Sequence, residues 1–336
     1  MSIDPSLVLA GALVGLMVGM TGMGGGALLT PILVLVFKVP PLAAVSSDLV
    51  TSLVMKPFGG AVHLRKGTVL KPLLGWLVVG SVPAAFIGSV VIGRLASGGH
   101  AEAVQGFLKV VIALALIASV VGTCVRTWVD SRRAGESRQP LVIHPGRTVA
   151  IGAIGGLAVG LTSVGAGTLI IAMLLFAYPQ LRPQQLVGTD IVQAIPLVAA
   201  ASLGHLLFGA VHFGITLSLI IGSIPAVIVG AKLSSSAPSG VIRPIVAAVL
   251  MGSAMALLGA PAPVIFGGAI VAAVVVSTPE LRSLRARLAA RSARTGSPHS
   301  SELVEASSAQ SAALARTAPA GRAPSTESAT STDRPT

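Results

Sequence analysis

Residues 11–33 read GALVGLMVGMTGMGGGALLTPIL, and residues 152–174 read GAIGGLAVGLTSVGAGTLIIAML. The small residues of the first stretch recur in the second at a constant offset of 141, the difference between positions 11 and 152. The matched positions are Gly11, Gly15, Gly19, Thr21, Gly24 and Gly26, with Gly152, Gly156, Gly160, Thr162, Gly165 and Gly167. Doubled units that each carry a glycine-interrupted apolar segment are typical of secondary transporters.

After one inserted residue the correspondence resumes at an offset of 142, the difference between positions 48 and 190. The positions matched at this offset are Asp48, His63, Gly67, Gly80, Ser81, Pro83 and Gly88, with Asp190, His205, Gly209, Gly222, Ser223, Pro225 and Gly230. The sequence therefore predicts two homologous repeats, each of which starts with a glycine-broken segment.

Composition restricts the chain to one broad class of protein. Hydrophobic residues make up 53% of the sequence, charged residues 10%, and the mean hydropathy is +0.88. Several uncharged runs approach the roughly 20 residues that a helix needs to cross a bilayer, so we predict an all-α, polytopic integral membrane protein. The net charge of +12 lies in loops and the C-terminal region, which indicates a role in membrane topology and not in nucleic-acid binding. The single cysteine, Cys124, allows no internal disulfide and no thiolate metal cluster.

The hydrophobic segments divide the chain into four regions. These are a first membrane repeat at 6–125, an Arg-rich cytoplasmic linker at 126–147, a second repeat with a last helix at 148–278, and a tail at 279–336 that is first basic and then disordered. The predicted segments are 6–37, 42–64, 69–93, 104–125, 148–179, 184–208, 213–233, 241–259 and 262–278.

The first segment of each repeat, 6–37 or 148–179, is too long for a simple span. Each has about 32 residues, or about 48 Å of helix, and is broken by glycines near its middle. Each is either one long interrupted helix or a re-entrant hairpin of two half-helices. Basic residues favour the hairpin, because it leaves only Lys38 and Arg94 on the outer face. It also leaves three crossings in the rest of the first repeat, which would invert the second repeat relative to the first.

The glycine clusters TGMGGG at 21–26 and TSVGAG at 162–167 form the first candidate site. Three consecutive glycines destabilise a helix by roughly 1 kcal/mol each relative to alanine, so close helix packing alone is the weaker explanation. An unwound backbone would present free N–H groups, and a half-helix starting near Ala27 would direct its positive dipole end at the break. The predicted anion-binding residues are Thr21, Gly24, Gly25, Gly26, Thr162, Ser163, Gly165 and Gly167.

Asp48 and Asp190 lie clearly inside hydrophobic segments and are matched between the repeats. A carboxylate at membrane depth is costly and therefore indicates function. In one interpretation each aspartate is the N-cap of its segment, because Ser-Asp and Thr-Asp pairs fit a helix start. In the other, each is a coupling or gating group for a proton or cation. Thr51 and Ser52 lie three and four residues after Asp48, on its helix face, and Gln193 lies likewise relative to Asp190. Thr51 and Gln193 are predicted to bind substrate.

Three further residues complete the candidate site. Lys56 lies deep in the second segment and is predicted to attract an anion or to pair with Asp48, two turns away. His63 and His205 are matched between the repeats, each four residues before a glycine at a segment end. They are interpreted either as structural histidines at the membrane interface or as proton-handling, gating groups.

These motifs together resemble the TauE/SafE family of sulfite exporters, formerly a domain of unknown function. GMTGMGGGALLTPIL is similar to the family's first motif, and VSSDLVTSLVMKPFGGAVHLRKGTV to its second segment. LVGTDIVQAIPLVAAASLGHLLFGAVHFG is similar to the later repeat of a branch with GTD in place of GTS. The resemblance covers about residues 6–278 and implies an inner-membrane carrier for sulfite, sulfonates or related anions. The weaker TSVGAG makes the second half of the site a candidate vestige, and Asp190 at the GTS position would alter substrate or coupling.

The leading hypothesis is a secondary transporter that exports a small sulfur-containing anion such as sulfite or an organosulfonate. The alternatives are a proton- or cation-coupled carrier of another solute that uses Asp48 and Asp190, a passive channel and, remotely, an intramembrane aspartyl protease. We expect no enzymatic activity and no cofactor, since the sequence has no P-loop, haem or metal motif. The expected partners are the anion and the lipid bilayer, without nucleic acid, and the expected location is a bacterial inner (plasma) membrane.

Overall fold

A computed structural model describes residues 3–21, 25–65, 67–132, 142–208, 211–233 and 239–295. These residues form eleven α-helices and no named strand, so the all-α prediction is confirmed for them. The helices are α1 (Pro5–Thr21), α2 (Gly26–Leu35), α3 (Pro41–Arg65), α4 (Lys71–Ser97), α5 (Ala101–Arg132), α6 (Pro145–Thr162), α7 (Leu169–Ala177), α8 (Pro183–Phe208), α9 (Phe213–Leu233), α10 (Ser239–Leu257) and α11 (Ala262–Thr295). Residues up to Arg282 belong to one compact unit, and the described part of a second unit consists of the last turns of α11.

Both glycine-broken segments are interrupted where the sequence predicts. The first is divided into α1 and α2, and α2 begins at Gly26, one residue before the predicted Ala27. The second is divided into α6 and α7 by a turn in which Ser163, Gly165 and Gly167 have φ angles of 60°, 126° and 95°. Positive φ angles end a right-handed helix, and glycine adopts them without steric cost.

The second broken segment is a helical hairpin. Gly155 of α6 lies so close to Ile170 of α7 that a Cβ atom on the glycine would collide with the isoleucine side chain. The Tyr178 hydroxyl, just beyond α7, lies 2.6 Å from Thr148 Oγ1 and accepts the N–H of His144 at 3.1 Å, at the start of α6. A single continuous helix would place these two ends roughly 45 Å apart. This segment therefore folds back as a hairpin of two half-helices, while its re-entry into the membrane stays a prediction.

The first helix of each broken segment packs against a helix from the opposite half of the chain: α1 contacts α9, and α6 contacts α4. A Cβ atom on Gly15 would collide with the backbone of Ser223, and one on Gly156 would collide with the backbone of Ser81. Gly15 corresponds to Gly156 in the sequence match, and Ser223 corresponds to Ser81. Only a residue without a side chain allows the helix backbones to approach this closely.

Contacts along the central helices give their relative directions. Ser46, early in α3, contacts His205, late in α8, whereas Gly60, late in α3, lies against Ile195 of α8. The helices α3 and α8 are therefore antiparallel. Contacts between α4 and α8 advance together along both helices, from the bond of Ser81 with Gln193 to the packing of Gly93 on Phe208, so α4 and α8 are parallel.

Within the described residues, four helical stretches are long and apolar enough to cross a membrane: Lys71–Ser97, Ala101–Val129, Gln184–Phe208 and Phe213–Gly230. Shorter apolar helices are Pro5–Met20, Gly26–Leu35, Ile242–Leu257 and Ala262–Thr278. Large apolar side chains such as Leu114 and Phe266 are exposed on these helices, as expected for surfaces that face lipid.

Two helices extend furthest beyond the predicted segment ends. The helix α5 continues to Arg132, inside the predicted linker, and α11 continues to Thr295, past the predicted end at 278. The residues after Glu280 are mainly Leu, Arg and Ala, which are strong helix formers and explain the continuation of α11. Residues 133–141 of the linker and the tail from 296 to 336, where disorder is predicted, lie outside the described residues.

Candidate functional site

Asp48 is fully buried in α3, seven residues after the helix begins at Pro41. The N-cap interpretation is therefore wrong, because Pro41, with its fixed φ angle, starts the helix two turns earlier. Three hydroxyl groups bond the carboxylate: Thr30 Oγ1 donates to Oδ2 at 2.7 Å, Ser52 Oγ donates to Oδ1 at 3.3 Å, and Ser163 also donates. The carboxylate thus joins α2, α3 and the break of the second broken segment.

Asp190 occupies the matching position on α8 and is also buried. The helix begins at Pro183, so the N-cap interpretation is wrong here for the same reason. The carboxylate is hydrogen-bonded by the backbone N–H of Gly167, in the second break. Its Oδ1 atom has no hydrogen-bond partner within the described residues. Asp190 is therefore less completely bonded than Asp48.

Lys56 connects the two carboxylates electrostatically. It interacts with Asp190 as well as with Asp48, so the predicted pairing along α3 is only part of its environment. Paired charges at membrane depth are far less costly than isolated ones. Arg126 of α5 adds a weaker interaction with Asp190.

The two helix breaks meet at this cluster. A Cβ atom on Gly26 would collide with both the backbone and the side chain of Ser163, and one on Gly25 would lie 3.5 Å from Ser52 Oγ. The N-cap residues of α2 and α7, Gly25 and Thr168, make no side-chain capping bond. The helix dipole favours an anion at both helix starts. At the start of α7, however, the N–H groups of Thr168, Leu169 and Ile170 already bond the carbonyl of Gly165.

Two predicted binding hydroxyls bond to the backbone of their own helices. Thr162 Oγ1 donates to the carbonyl of Ala158 at 2.7 Å, at the end of α6. Thr51 Oγ1 donates to the carbonyl of Ser47 at 2.8 Å, one turn earlier on α3. Both threonines are buried beside the site, but these bonds hold their hydroxyls within their helices.

Gln193 is buried on the same face of α8 as Asp190, as predicted. Its Nε2 donates to Ser81 Oγ of α4 at 2.6 Å, while Oε1 has no partner within the described residues. Three other predicted site groups, Gly24 and the side chains of Thr21 and His63, lie outside the described residues.

His205 is buried and bonded on both ring nitrogens, as a structural histidine would be, while its position at the membrane interface stays a prediction. Its Nδ1 lies 2.8 Å from Ser46 Oγ on α3, and its Nε2 lies 3.0 Å from the carbonyl of Gly160 on α6. A carbonyl oxygen can only accept, so Nε2 carries a proton, and in the neutral ring Nδ1 accepts from Ser46. The imidazole is buried because the end of α8 packs against α3, α4 and α6. Its role in proton handling stays a prediction.

The sequence analysis missed Thr30 and Ser46. Thr30 lies four residues after Gly26, one turn into α2 and on the same helix face as the break, and that spacing was available to identify it. Ser46 contacts His205 from a distant part of the chain. No local pattern signals such a contact.

An apolar groove lies apart from this cluster, between α4, α5 and α6. Its lining includes Ile92, Phe107 and Leu161 and is almost entirely nonpolar, which does not suit a small anion. In the part of the chain that the structure describes, no group of three or more His, Cys, Asp or Glu residues could hold a metal ion.

The chain is similar to known proteins over most of its length. The family model described as "Sulfite exporter TauE/SafE" matches residues 7–257. "Probable membrane transporter protein YjnA" of Bacillus subtilis (strain 168) is 35% identical over 263 residues, which cover 75% of this chain and 99% of the relative. "Probable membrane transporter protein YdhB" of the same strain is 24% identical over 238 residues, which cover 70% of this chain and 93% of the relative. No solved structure matches.

The family match extends from α1 to the end of α10, so it includes both breaks, Lys56 and the two buried aspartates. It covers most of the 336 residues of the chain. The relatives matched over comparable lengths are named as membrane transporters. The chain therefore belongs to the TauE/SafE family of membrane transporter proteins.

Proposed function

We propose that the chain is a secondary transporter that exports a small sulfur-containing anion, such as sulfite or an organosulfonate. The observation that carries the proposal is the meeting of two helix breaks, at Gly26 and Ser163, in a cluster that contains Lys56. Free backbone N–H groups at helix starts bind oxyanions, and sulfite and sulfonate groups offer three oxygens to accept them. The family description supports a sulfur-containing substrate.

Both halves of the chain contribute to the proposed site. Lys56 attracts the anion, while Asp48 holds the first break against the second through Thr30 and Ser163. Substrate contacts are proposed for Thr21, Gly24, Gly25, Gly26, Thr51, Lys56, Thr162, Ser163, Gly165, Gly167 and Gln193. Coupling or gating roles are proposed for Asp48, Asp190, His63 and His205.

We further propose that the two halves are inverted repeats. The antiparallel directions of α3 and α8 and the equivalent contacts of Gly15 with Ser223 and Gly156 with Ser81 support this. Inverted repeats allow one site to open alternately to the two sides of a membrane. The proposed membrane is the inner (plasma) membrane of a bacterium, with the basic loops on the cytoplasmic side.

A proton- or cation-coupled carrier of another solute is the second candidate function. Two buried carboxylates that share Lys56 favour it, because the cluster would bind a further positive charge. The remote protease candidate has less support. A protease of this type needs two carboxylates that share a proton, whereas hydroxyls of Thr30 and Ser52 bond both oxygens of Asp48.

Flux measurements on the full-length chain in proteoliposomes test the proposal. Lys56→Met removes one charge-assisted contact, which is worth about 1.5–3 kcal/mol. We therefore expect the apparent affinity for sulfite to fall roughly 10- to 100-fold. Gly25→Leu fills the break and is expected to abolish flux. Gly75→Leu is the matched control, because a Cβ atom at Gly75 of α4 meets nothing within 4 Å.

Two results would contradict the anion site. One is unchanged sulfite flux in both Gly25→Leu and Asp48→Asn. The other is uptake that follows a cation gradient and ignores sulfite and sulfonates, which would favour the second candidate function.

A further inference from the structure

The two matched aspartates differ in how their oxygens are bonded. Asp48 accepts hydroxyl hydrogen bonds from Thr30, Ser52 and Ser163. Asp190 is 1% exposed, yet its Oδ1 atom has no hydrogen-bond partner within the described residues. A buried acceptor without a partner is costly, and more so when it belongs to an ionised group. Of the two aspartates, only Asp190 carries this energetic cost.

A second unpartnered acceptor lies next to Asp190. Gln193 is on the same face of α8, one turn later, and is 0% exposed. Its Nε2 donates to Ser81 Oγ, which leaves Oε1 as the free amide atom, and Oε1 has no partner within the described residues. The backbone N–H of Gly167, in the second break, already bonds the Asp190 carboxylate. One hydrogen atom on the Asp190 carboxyl, donated to Gln193, would satisfy both unpartnered oxygens.

The charges around Asp190 also favour an added proton. Lys56 of α3 interacts with Asp190 and with Asp48, so one lysine serves two carboxylates. Arg126 of α5 contributes a weaker interaction. An excess negative charge at membrane depth is unfavourable and repels an incoming anion. Neutralising one carboxylate removes both penalties.

We propose that Asp190 and Gln193 form a proton-binding site, and that its proton is transported together with the anion. The inference rests on the transport function proposed above. One O–H bond forms on the Asp190 carboxylate when the proton binds, and no other bond is made or broken. The loss of negative charge leaves Lys56 free to attract an anion, so proton and anion each strengthen the binding of the other. Asp48 stays ionised and keeps the first break in place.

Infrared spectroscopy of the purified full-length protein in liposomes tests the site directly, through the C=O stretch of a protonated carboxyl group. We expect a pH-dependent band in the wild type and in Asp48→Asn, and its loss in Asp190→Asn. Gln193→Met removes the acceptor, so the band should move to the frequency of a carboxyl group without a hydrogen bond. Glu102→Gln, an exposed acid at the start of α5, is the control.

The spectroscopic test has clear contrary outcomes. A band that persists in Asp190→Asn and is lost in Asp48→Asn would show that the proton binds Asp48 and not Asp190. No band in the wild type would mean that the Gln193 amide is rotated, with Nε2 donating to an ionised Asp190. Suppression of the band by Na⁺ would mean that the site binds a metal cation. Each of these results overturns the proposal.

Flux separates this inference from the transport function itself. A sulfonate is the suitable probe, because its sulfonic group stays ionised and carries no proton of its own. A gradient of one pH unit supports about tenfold accumulation for one coupled proton. We expect Asp190→Asn to lose this accumulation, and the exposed control Glu102→Gln to keep it. Full gradient-driven accumulation by Asp190→Asn overturns the proton site. Absence of flux in the wild type overturns the transport function, and the infrared result still decides the site.

Discussion

At the residue scale, a hydroxyl–carboxylate bond holds the first helix break against α3. Thr30 Oγ1 donates to Asp48 Oδ2 at 2.7 Å, and both residues are fully buried. Valine has nearly the shape of threonine but no donor, so Thr30→Val would leave a buried carboxylate oxygen without this bond. Losing a partner of a charged group costs roughly 1–3 kcal/mol.

We therefore expect Thr30→Val to lower the free energy of unfolding by about 1–3 kcal/mol. Chemical denaturation of the full-length protein in detergent measures this change. Thr123→Val is the matched control, because Thr123 Oγ1 donates only to the carbonyl of Ser119 within α5, at 2.8 Å. Equal losses of stability in the two variants would show that the bond of Thr30 to Asp48 stabilises the protein no more than a bond to a backbone carbonyl.

The site residues show which parts of a helix pattern transfer from sequence to structure. The prediction that the turn after Asp48 faces its carboxylate is right for Ser52, whose hydroxyl bonds it. Thr51 is also buried, but its hydroxyl bonds the carbonyl four residues earlier, that of Ser47, as threonine hydroxyls in helices often do. The N-cap interpretation overlooked Pro41, which is visible in the sequence and is a strong start signal.

At the element scale, glycine sets the contact between α4 and α6. A Cβ atom at Gly156 would collide with the backbone of Ser81, which cannot move away as a flexible side chain can. Gly156→Ala should therefore destabilise the protein by about 1–3 kcal/mol, the range for overpacking. Denaturation in detergent, followed by the loss of helical circular dichroism, measures the change.

Gly75→Ala is the control for this prediction. Gly75 lies on α4, and a Cβ atom there meets nothing within 4 Å. Alanine should stabilise an open helical position by up to about 1 kcal/mol. Opposite signs for Gly156→Ala and Gly75→Ala are the expected result. A stabilising Gly156→Ala would mean that the close approach of α4 and α6 is not needed.

The sequence predicted the helix breaks but not the side-chain contacts between helices. Glycine runs and the chain length of each segment were enough to predict a start near Ala27, one residue from the observed start of α2 at Gly26, because local conformational cost depends on local residues. The burial of His205 depends on α3, α4 and α6 packing around the end of α8. The partners of Asp48 come from α2 and from the second break, so they follow from tertiary packing.

At the scale of the whole molecule, helix directions constrain the topology in the membrane. The antiparallel pair α3 and α8 and the parallel pair α4 and α8 follow from separate sets of contacts. If each broken segment crossed the membrane once, α3 and α8 would run in the same direction. Two hairpins with three crossings between them, α3 to α5, give the observed directions. The distribution of basic residues among the loops predicts the same arrangement from the sequence.

This arrangement predicts which residues share a face of the membrane. Ser6 and Lys38 flank the first hairpin and should lie on the same face, together with His100, which follows α4. Arg65 and Arg182 should lie on the opposite face. All five residues are exposed, so each accepts a reporter cysteine in a chain whose only cysteine is replaced by Cys124→Ser.

A membrane-impermeant maleimide applied to intact cells measures the topology. We expect Ser6→Cys, Lys38→Cys and His100→Cys to react from outside, and Arg65→Cys and Arg182→Cys to react only after the membrane is opened. Positions 6 and 38 distinguish a hairpin from a single crossing, because a segment 6–37 that crosses once must place them on opposite faces. Labelling of one without the other would exclude the first hairpin, and segment 6–37 would then differ in topology from segment 148–179.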